Sequence, residues 1–352
     1  MSAPRPVALR QAPRGGQENL GAAQRFLERV LVVKTSSMGD VVHTLAAVTD
    51  MAKVFPGLSV DWLVEAPFAS IAALHPSVKT VIPLSWRKWR KSLWRGATWD
   101  AMKACRAQLR AEPYDAIIDF QGLLKSVLWG RQALGPLLGY DRHSIREPLA
   151  SSFYDRTVSV PRQLHAVERS RRLAALHLGY DLPPSAPDFG LRTPASGWMP
   201  AVGPYAVLIP CASRVEKHWP LAHWRALLER CERKGLHVVV LWGSKDERQL
   251  AEQVAQGTGA SVPPFLTVSD AAAVLAQAHV VVGLDTGFTH LAAAFARPTV
   301  GIYCDHEPGL AGVTGSGFVC SLGGRAQVPT FEAVALAFES AYESGRTMLG
   351  RG

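Results

Sequence analysis

A chain of 352 residues that is 48% apolar and 19% charged is too long for one ordinary core and suits two domains of roughly 150 residues; these proportions exclude a disordered or fibrous protein. Its 38 Lys and Arg against 29 Asp and Glu give a formal charge of +9, which favours an anionic partner (nucleic acid, a phosphorylated substrate or an acidic membrane surface) without choosing among them. No apolar run approaches the ~20 residues needed to span a bilayer.

Residues 1–28 hold no apolar core of signal-peptide length, so secretion is not expected, and their Pro, Gly, Gln and Arg content predicts a loose leader outside the fold. From there apolar runs alternate with helical patterns, the signature of parallel sheets covered by helices. Residues 29–34 (RVLVVK) read as a buried strand, followed by a helix over 39–55 with Val42, Leu45, Ala46, Thr49 and Ala52 at helical spacing. Further strands are predicted over 60–64, 80–84 and 116–119, and helices over 98–111, 122–134 and 165–178. Prolines at 183, 184, 187, 194, 200 and 204 mark a linker over 183–204. The alternation then restarts, with strands over 205–209, 237–242, 280–283 and 299–303 and helices over 221–234, 246–255, 270–277 and 287–296. The chain therefore divides into an α/β domain over 29–182 and a second over 205–329. A last helix, 330–346, is placed to return onto the first. The five cysteines are odd in number, widely spaced and form no CxxC, which predicts free thiols in a reducing cytoplasm and no zinc site.

In open parallel sheets ligands sit outside the carboxyl ends of the strands, so the loops after strands are where chemistry is expected. KTSSMGD, residues 34–40, closes the first strand and opens the first helix. Ser36, Ser37 and Gly39 let a ligand approach the backbone, and Asp40 falls near the helix start. Two roles are open to Asp40: a cap that complements the helix dipole, or a general base for a substrate hydroxyl, kept ionised by that dipole. Neither GxGxxG nor GxxxxGK[ST] occurs here, so neither dinucleotide-type nor P-loop binding is supported.

In the second half, Asp285 ends a strand, Thr286 and Gly287 make the turn, and His290 lies one helical turn on. The exposed N–H groups of that helix start suit a pyrophosphate, and Asp285 suits sugar hydroxyls; simple helix capping is the alternative. Residues 209–220 (IPCASRVEKHWP) add Ser213, Arg214 and Lys217, the lysine either neutralising a phosphate or standing as a solvated charge. Glu247, after the strand over 237–242, either binds ribose hydroxyls or begins a surface helix. Three loops with complementary polar groups favour the ligand reading over any one alone.

The segment 86–95 (WRKWRKSLWR) carries five cations. On a helix Trp86, Trp89 and Leu93 share one face and Arg87, Lys88, Lys91 and Arg95 fall on the other. Such a helix suits an anionic membrane or an acidic substrate, or is a solvated face over a Trp-rich core contact. Interleaved aromatics also suit single-stranded nucleic acid, but no nucleic-acid-binding module signature accompanies them, and nucleic acid is not expected as a partner.

Taken together, KTSSMGD, DFQGLLKS, REPLASSFYDR, HAVERSR, KHWP and DTGFTHLAAA resemble glycosyltransferase family 9, on the side of the heptosyltransferases that add the first heptose to the lipopolysaccharide core. The resemblance runs from about Arg29 to the C-terminus. It implies the GT-B fold, two Rossmann-like domains facing across a cleft, and inverting transfer of L-glycero-D-manno-heptose from ADP-heptose to a Kdo residue of Kdo-lipid A. By motif, it makes Asp40 the catalytic base. It places Ser213, Lys217, Glu247, Asp285, Thr286, Gly287 and His290 on the donor, and Ser37, Arg87, Lys88, Arg90, Lys91, Gln121, Lys125, Arg146 and Arg169 on the acceptor side; His165 is nearby without a clear role. No cofactor and no obligatory metal are implied, and the enzyme is expected at the cytoplasmic face of the inner membrane. Ala212-Ser213 departs from the Thr-Thr pair frequent in the family, and the leader is not typical of it. A transferase that adds the second heptose and a non-catalytic basic binder of nucleic acid or membranes are the alternatives.

Overall fold

The structure is a computed structural model that describes residues 27–200, 203–212 and 218–349. The leader, but for residues 27 and 28, and the predicted donor residues Ser213 and Lys217 lie outside the described residues.

Six parallel strands build the first sheet: β1 (Arg29–Val33), β2 (Ser59–Glu65), β3 (Val78–Leu84), β4 (Ala116–Asp119), β5 (Leu137–Tyr140) and β6 (Arg156–Val158), in the order β3-β2-β1-β4-β5-β6. Five build the second: β7 (Tyr205–Ile209), β8 (His237–Val240), β9 (Val280–Leu284), β10 (Thr299–Tyr303) and β11 (Val319–Gly323), in the order β11-β10-β9-β7-β8. Both are doubly wound, and the strand order reverses between β1 and β4 in one and between β7 and β9 in the other. Those two switch points are where such sheets bind ligands. The loops read as chemical in the sequence, 34–40 and 285–290, sit at them.

The larger helices are α1 (Met38–Val54), α2 (Gly96–Leu109), α3 (Leu124–Gly130), α4 (Ala166–Leu178), α5 (Leu221–Arg233), α6 (Lys245–Ala255), α7 (Val268–Ala276), α8 (Gly287–Ala294) and α9 (Phe331–Leu349). Every residue of α1 from Val41 to Met51 is buried. An apolar sequence all round a helix requires cover on all sides, and α4 and, from the other domain, α8 supply what the sheet does not. A bidentate ion pair from Arg171 on α4 to Asp50 on α1 (2.6 and 3.2 Å) fixes their register, and the same guanidinium donates to the Pro183 carbonyl at 3.1 Å. The linker is thus held to the first domain where it leaves it. Farther on, Ser196 and Gly197 donate to Asp270 in α7, tying the linker to the second.

The second sheet divides its side chains by the two-residue period of a strand. Ala206, Leu208, Val238, Val240, Val280, Val282 and Leu284 face a core shared with Val334, Phe338 and Ala341 of α9. Val207, Ile209, Val239 and Val281 face the other way, into a cluster continuous with the first domain's core.

Two expectations are corrected here. The C-terminal helix does not return to the first domain: its Val334/Phe338/Ala341 stripe packs on β9, β10 and β11, and Glu339 pairs with Arg230 of α5 and with Lys234 just after it (2.6 Å each). The basic segment is not one amphipathic helix either. A single turn, Trp86–Trp89, packs its two indoles on Trp129, and the chain then turns, so Leu93 comes out exposed rather than sharing the tryptophan face. Like charges three and four residues apart disfavour a longer helix. The turn is held by bonds from Ser92 to the Lys88 carbonyl (3.2 Å) and from the Trp99 indole to the Leu93 carbonyl (2.8 Å).

Candidate active site

A cleft of ≈530 Å³ opens where the two switch points face each other. Ser37, Gly39, Asp40 and His43 line it from the first domain, and Trp242, Glu247, Asp285, Thr286, Gly287 and His290 from the second. A smaller cavity of ≈170 Å³ adjoins it, walled by Lys34, Gln121, Tyr140, Arg146 and Arg169. Asp40 and His43 line both spaces. The carboxylate therefore stands at their junction, where a nucleophile from one side would meet an electrophile in the other.

Asp40 is oriented by its own loop. One carboxylate oxygen accepts from the Ser37 N–H (2.8 Å) and the Ser37 hydroxyl (2.9 Å), and the other lies 3.6 Å from the Lys34 ammonium. The side chain keeps 42% of its surface open to the cleft, so it is oriented without being buried in ion pairs. Desolvation pushes its pKa up, but Lys34, the two Ser37 bonds and His43 outweigh it and bring the group down to about 2. Asp40 is consequently ionised at any pH at which the protein works. A carboxyl lowered in the fold contributes stability above its unfolded value and loses it as pH falls toward 2. Lys34 itself is buried and donates to the Phe120 carbonyl (3.0 Å). Lys34→Met should therefore raise the Asp40 pKa and move the acid limb of kcat, measured with both substrates saturating, to higher pH; a kcat profile that stays put would show that Lys34 does not govern the carboxylate.

On the facing wall, α8 begins at Thr286 with no side-chain cap on its free N–H groups. Thr289 bonds the Leu284 carbonyl (2.6 Å), and His290 approaches the Asp285 carboxylate at 3.4 Å. Glu247 accepts from the Gly243 N–H at 2.7 Å, fixing the loop after β8. Gly287 is required by proximity: a methyl group there would overlap Met38 at the start of α1, whose Cβ would be 2.5 Å away. The two helix N-termini thus meet across the cleft, and both present positive dipole ends to it.

The sequence places this architecture in a family. The model of glycosyltransferase family 9 (heptosyltransferase) matches residues 102–337. Lipopolysaccharide heptosyltransferase 1 of Pseudomonas aeruginosa is 46% identical over 290 residues, 82% of this chain and 81% of that protein. The chain belongs to glycosyltransferase family 9. Lipopolysaccharide heptosyltransferase 1 of Escherichia coli K12 is 44% identical over 287 residues, 81% of this chain and 90% of its own. Among solved structures, the E. coli heptosyltransferase WaaC with ADP superposes with a TM-score of 0.81 at 41% identity, covering 89% of this chain and 99% of that one. The E. coli ADP-heptose lps heptosyltransferase II shares the fold at a TM-score of 0.69 and 18% identity, covering 90% of this chain and 99% of that one. The fold is GT-B and the protein is a glycosyltransferase.

Within this family 9 enzyme the residues singled out in the sequence fall into three groups. Asp40, Ser37, Glu247, Asp285, Thr286, Gly287 and His290 converge on the large cleft, and Gln121, Arg146 and Arg169 line the small cavity. Gln121 uses its carbonyl oxygen to accept from the Thr35 and Ser36 N–H groups (2.9 Å each), so it braces the Asp40 loop. Arg169 donates to the Ser144 carbonyl (2.8 Å) and lies 4.9 Å over the Tyr140 ring, with its Nε buried and unpartnered. Arg87, Lys88, Arg90 and Lys91 line neither space and are exposed, and Lys125 touches the Ser36 hydroxyl at 3.4 Å from outside.

Sequence reasoning passed over three groups. Lys34 was part of the KTSSMGD motif but carried no role there. Glu65, buried at the end of β2, feels the charges of Arg87, Lys125 and Arg90 and anchors the basic segment, although desolvation raises its pKa. His43 sits inside an apolar helical run and gave no signal of its own. Among the described residues no group of three His, Cys, Asp or Glu side chains is placed to hold a metal ion, and all five cysteines are free.

Proposed function

We propose that this enzyme transfers L-glycero-D-manno-heptose from ADP-heptose to a Kdo hydroxyl of Kdo-lipid A, with inversion. The observation that carries the reading is the opposition of the open Asp40 carboxylate and the uncapped start of α8 in one cleft. The acceptor hydroxyl attacks the anomeric carbon from the small-cavity side, Asp40 takes its proton, and the bond from that carbon to the ADP oxygen breaks. Departing ADP gains a second phosphate charge, which the α8 N-terminus and Lys217 stabilise. No metal is needed in this scheme, and a single carboxylate suffices where a glycosidase uses two. E. coli WaaC, solved with ADP-2-deoxy-2-fluoro heptose at a TM-score of 0.79 and 39% identity, supports the donor.

Incubation with ADP-heptose and a Kdo-bearing acceptor, read by mass spectrometry, should yield ADP and an acceptor heavier by one heptosyl unit. Product only on an already heptosylated acceptor would reassign the enzyme to the second transfer, and no product on either would overturn the reading.

The acceptor is lipid-linked, and the reading extends to the cytoplasmic face of the inner membrane. Of thirteen exposed large apolar side chains among the described residues, seven lie between Leu93 and Phe153. Trp99 and Leu128 share a shallow groove with Lys103 and Arg106, Leu124 lies one turn from Leu128, and the turn carrying Leu149 and Phe153 packs on the same helix. Arg87, Lys88, Arg90, Lys91 and Arg95 rim this strip and make no ion pair with another described residue. Apolar anchors ringed by cations suit an anionic bilayer, each cation adding about 1 kcal/mol near its surface. No described helix is long and apolar enough to cross a membrane. The protein should float with phosphatidylglycerol-containing vesicles and not with phosphatidylcholine alone. Replacing Trp94 and Trp99 by Ala should lower partitioning by roughly tenfold; unchanged flotation of that variant would remove the face from the reading.

A further inference from the structure

Three histidines close the seam between the domains. His43 of α1 places Nε2 3.3 Å from Nδ1 of His290, and His290 places Nε2 3.4 Å from the Asp285 carboxylate. His165, whose ring centroid lies 5.8 Å from that of His43, reaches the Gly312 carbonyl of the second domain at 3.0 Å. With both rings neutral, the hydrogen bonds dictate the tautomers. A carboxylate only accepts, so His290 donates from Nε2 and its Nδ1 accepts. His43 must then donate from Nε2, leaving its Nδ1 as a lone pair. That atom is buried and has no partner, although the ring borders both the large cleft and the small cavity.

We propose that His43 is a positioning residue for the transfer: from the acceptor-side domain it orients His290 and, through it, the Asp285 carboxylate, so the donor site completes itself only when the domains are closed on this contact. The proposal rests on the donor role read above for Asp285 and His290. An isolated donor domain lacks this bond, because its other half is carried on α1.

Charge decides when the contact can form. His43 is buried, and burial, His290, His165 and Lys34 all disfavour its charged form, with Asp40 opposing them. His165 is lowered likewise by burial and by His290, against the Gly312 carbonyl and Glu168. Around the pair stand Asp40, Lys34 and Glu168 from the first domain and Asp285 from the second. A histidine whose pKa is lowered in the closed form, as that of His43 is, favours that form when neutral. Closure therefore weakens as pH falls through the ordinary histidine value of about 6.5.

The test compares the full-length enzyme with His43→Leu, which removes the N–H, and His43→Gln, which keeps an N–H directed at His290. ADP binding by calorimetry and donor and acceptor KM are measured from pH 5.5 to 8. Expected are a donor KM and ADP Kd raised about tenfold in H43L and recovery of most of the loss in H43Q. The wild-type donor KM should rise at acid pH, and this rise should flatten in H43Q. Equal donor constants in H43L and wild type, H43Q as impaired as H43L, or an acid rise undiminished in H43Q would each overturn the coupling. Should H43L fail to fold, H43Q and its pH profile still decide. A wild-type enzyme that binds no ADP would instead overturn the donor reading itself.

Discussion

Asparagine in place of Asp40 is expected to lower kcat by about 10²- to 10⁴-fold, the range a positioned general base contributes, while ADP binding and thermal stability stay near wild type. The amide oxygen can still accept from the Ser37 N–H and hydroxyl, so the loop keeps its shape. What disappears is the charge that receives the proton and the partner of Lys34 at 3.6 Å. Asp40→Ala should lose as much turnover, with some added loosening of the α1 start. Because Asp40 borders the acceptor cavity and the donor cleft alike, the loss should appear in kcat for every acceptor and not as a raised KM for one. Single-turnover mixing with saturating substrates measures this directly. A D40N enzyme that transfers at near wild-type rate would leave the capping role as the whole explanation of the residue.

The second large effect is steric. Gly287→Ala should cut kcat/KM by roughly ten- to a hundredfold, in the manner of a misplacement of about 1 Å at a catalytic centre. Alanine is a better helix residue than glycine, and Gly287 opens α8, so the fold itself has no cause to suffer. The added methyl would overlap Met38 on the opposite domain, and something has to move. A second substitution supplies the rescue: Met38→Gly in the same chain removes Cβ, Cγ and Sδ alike and should restore most of the activity. Additive losses in G287A/M38G, with no recovery, would mean that the glycine serves the ligand's approach to the backbone and not the meeting of the two helices.

Both α/β domains, most central strands and the two switch-point loops were legible in the sequence because each is a local pattern: an apolar run, a small-residue turn, a helical period. β5, β6 and β11 were not. β5 and β6 are only four and three residues long, and β11 (VCSLG) is half-buried at a sheet edge, so none shows a clear run. The destination of α9 was misjudged because an apolar stripe states that a helix is covered and is silent on what covers it. The basic segment broke after one turn for reasons held in Trp129 and Trp99, outside the window that suggested a helix. His43 is the extreme case. Its partner His290 lies 247 residues away, and only the docking of two domains turns a buried imidazole in an apolar helix into part of the site.

The continuous apolar cluster that joins one face of the second sheet to the first domain has a consequence for a reactive sugar diphosphate. Behind the cleft the two halves meet through hydrocarbon. A donor seated before its acceptor arrives is therefore screened from stray hydrolysis by the same oily backing that holds the halves together. Relative movement there favours gliding of small side chains over a wide gape, since gaping would part α8 from α1 and wet the apolar side chains between them.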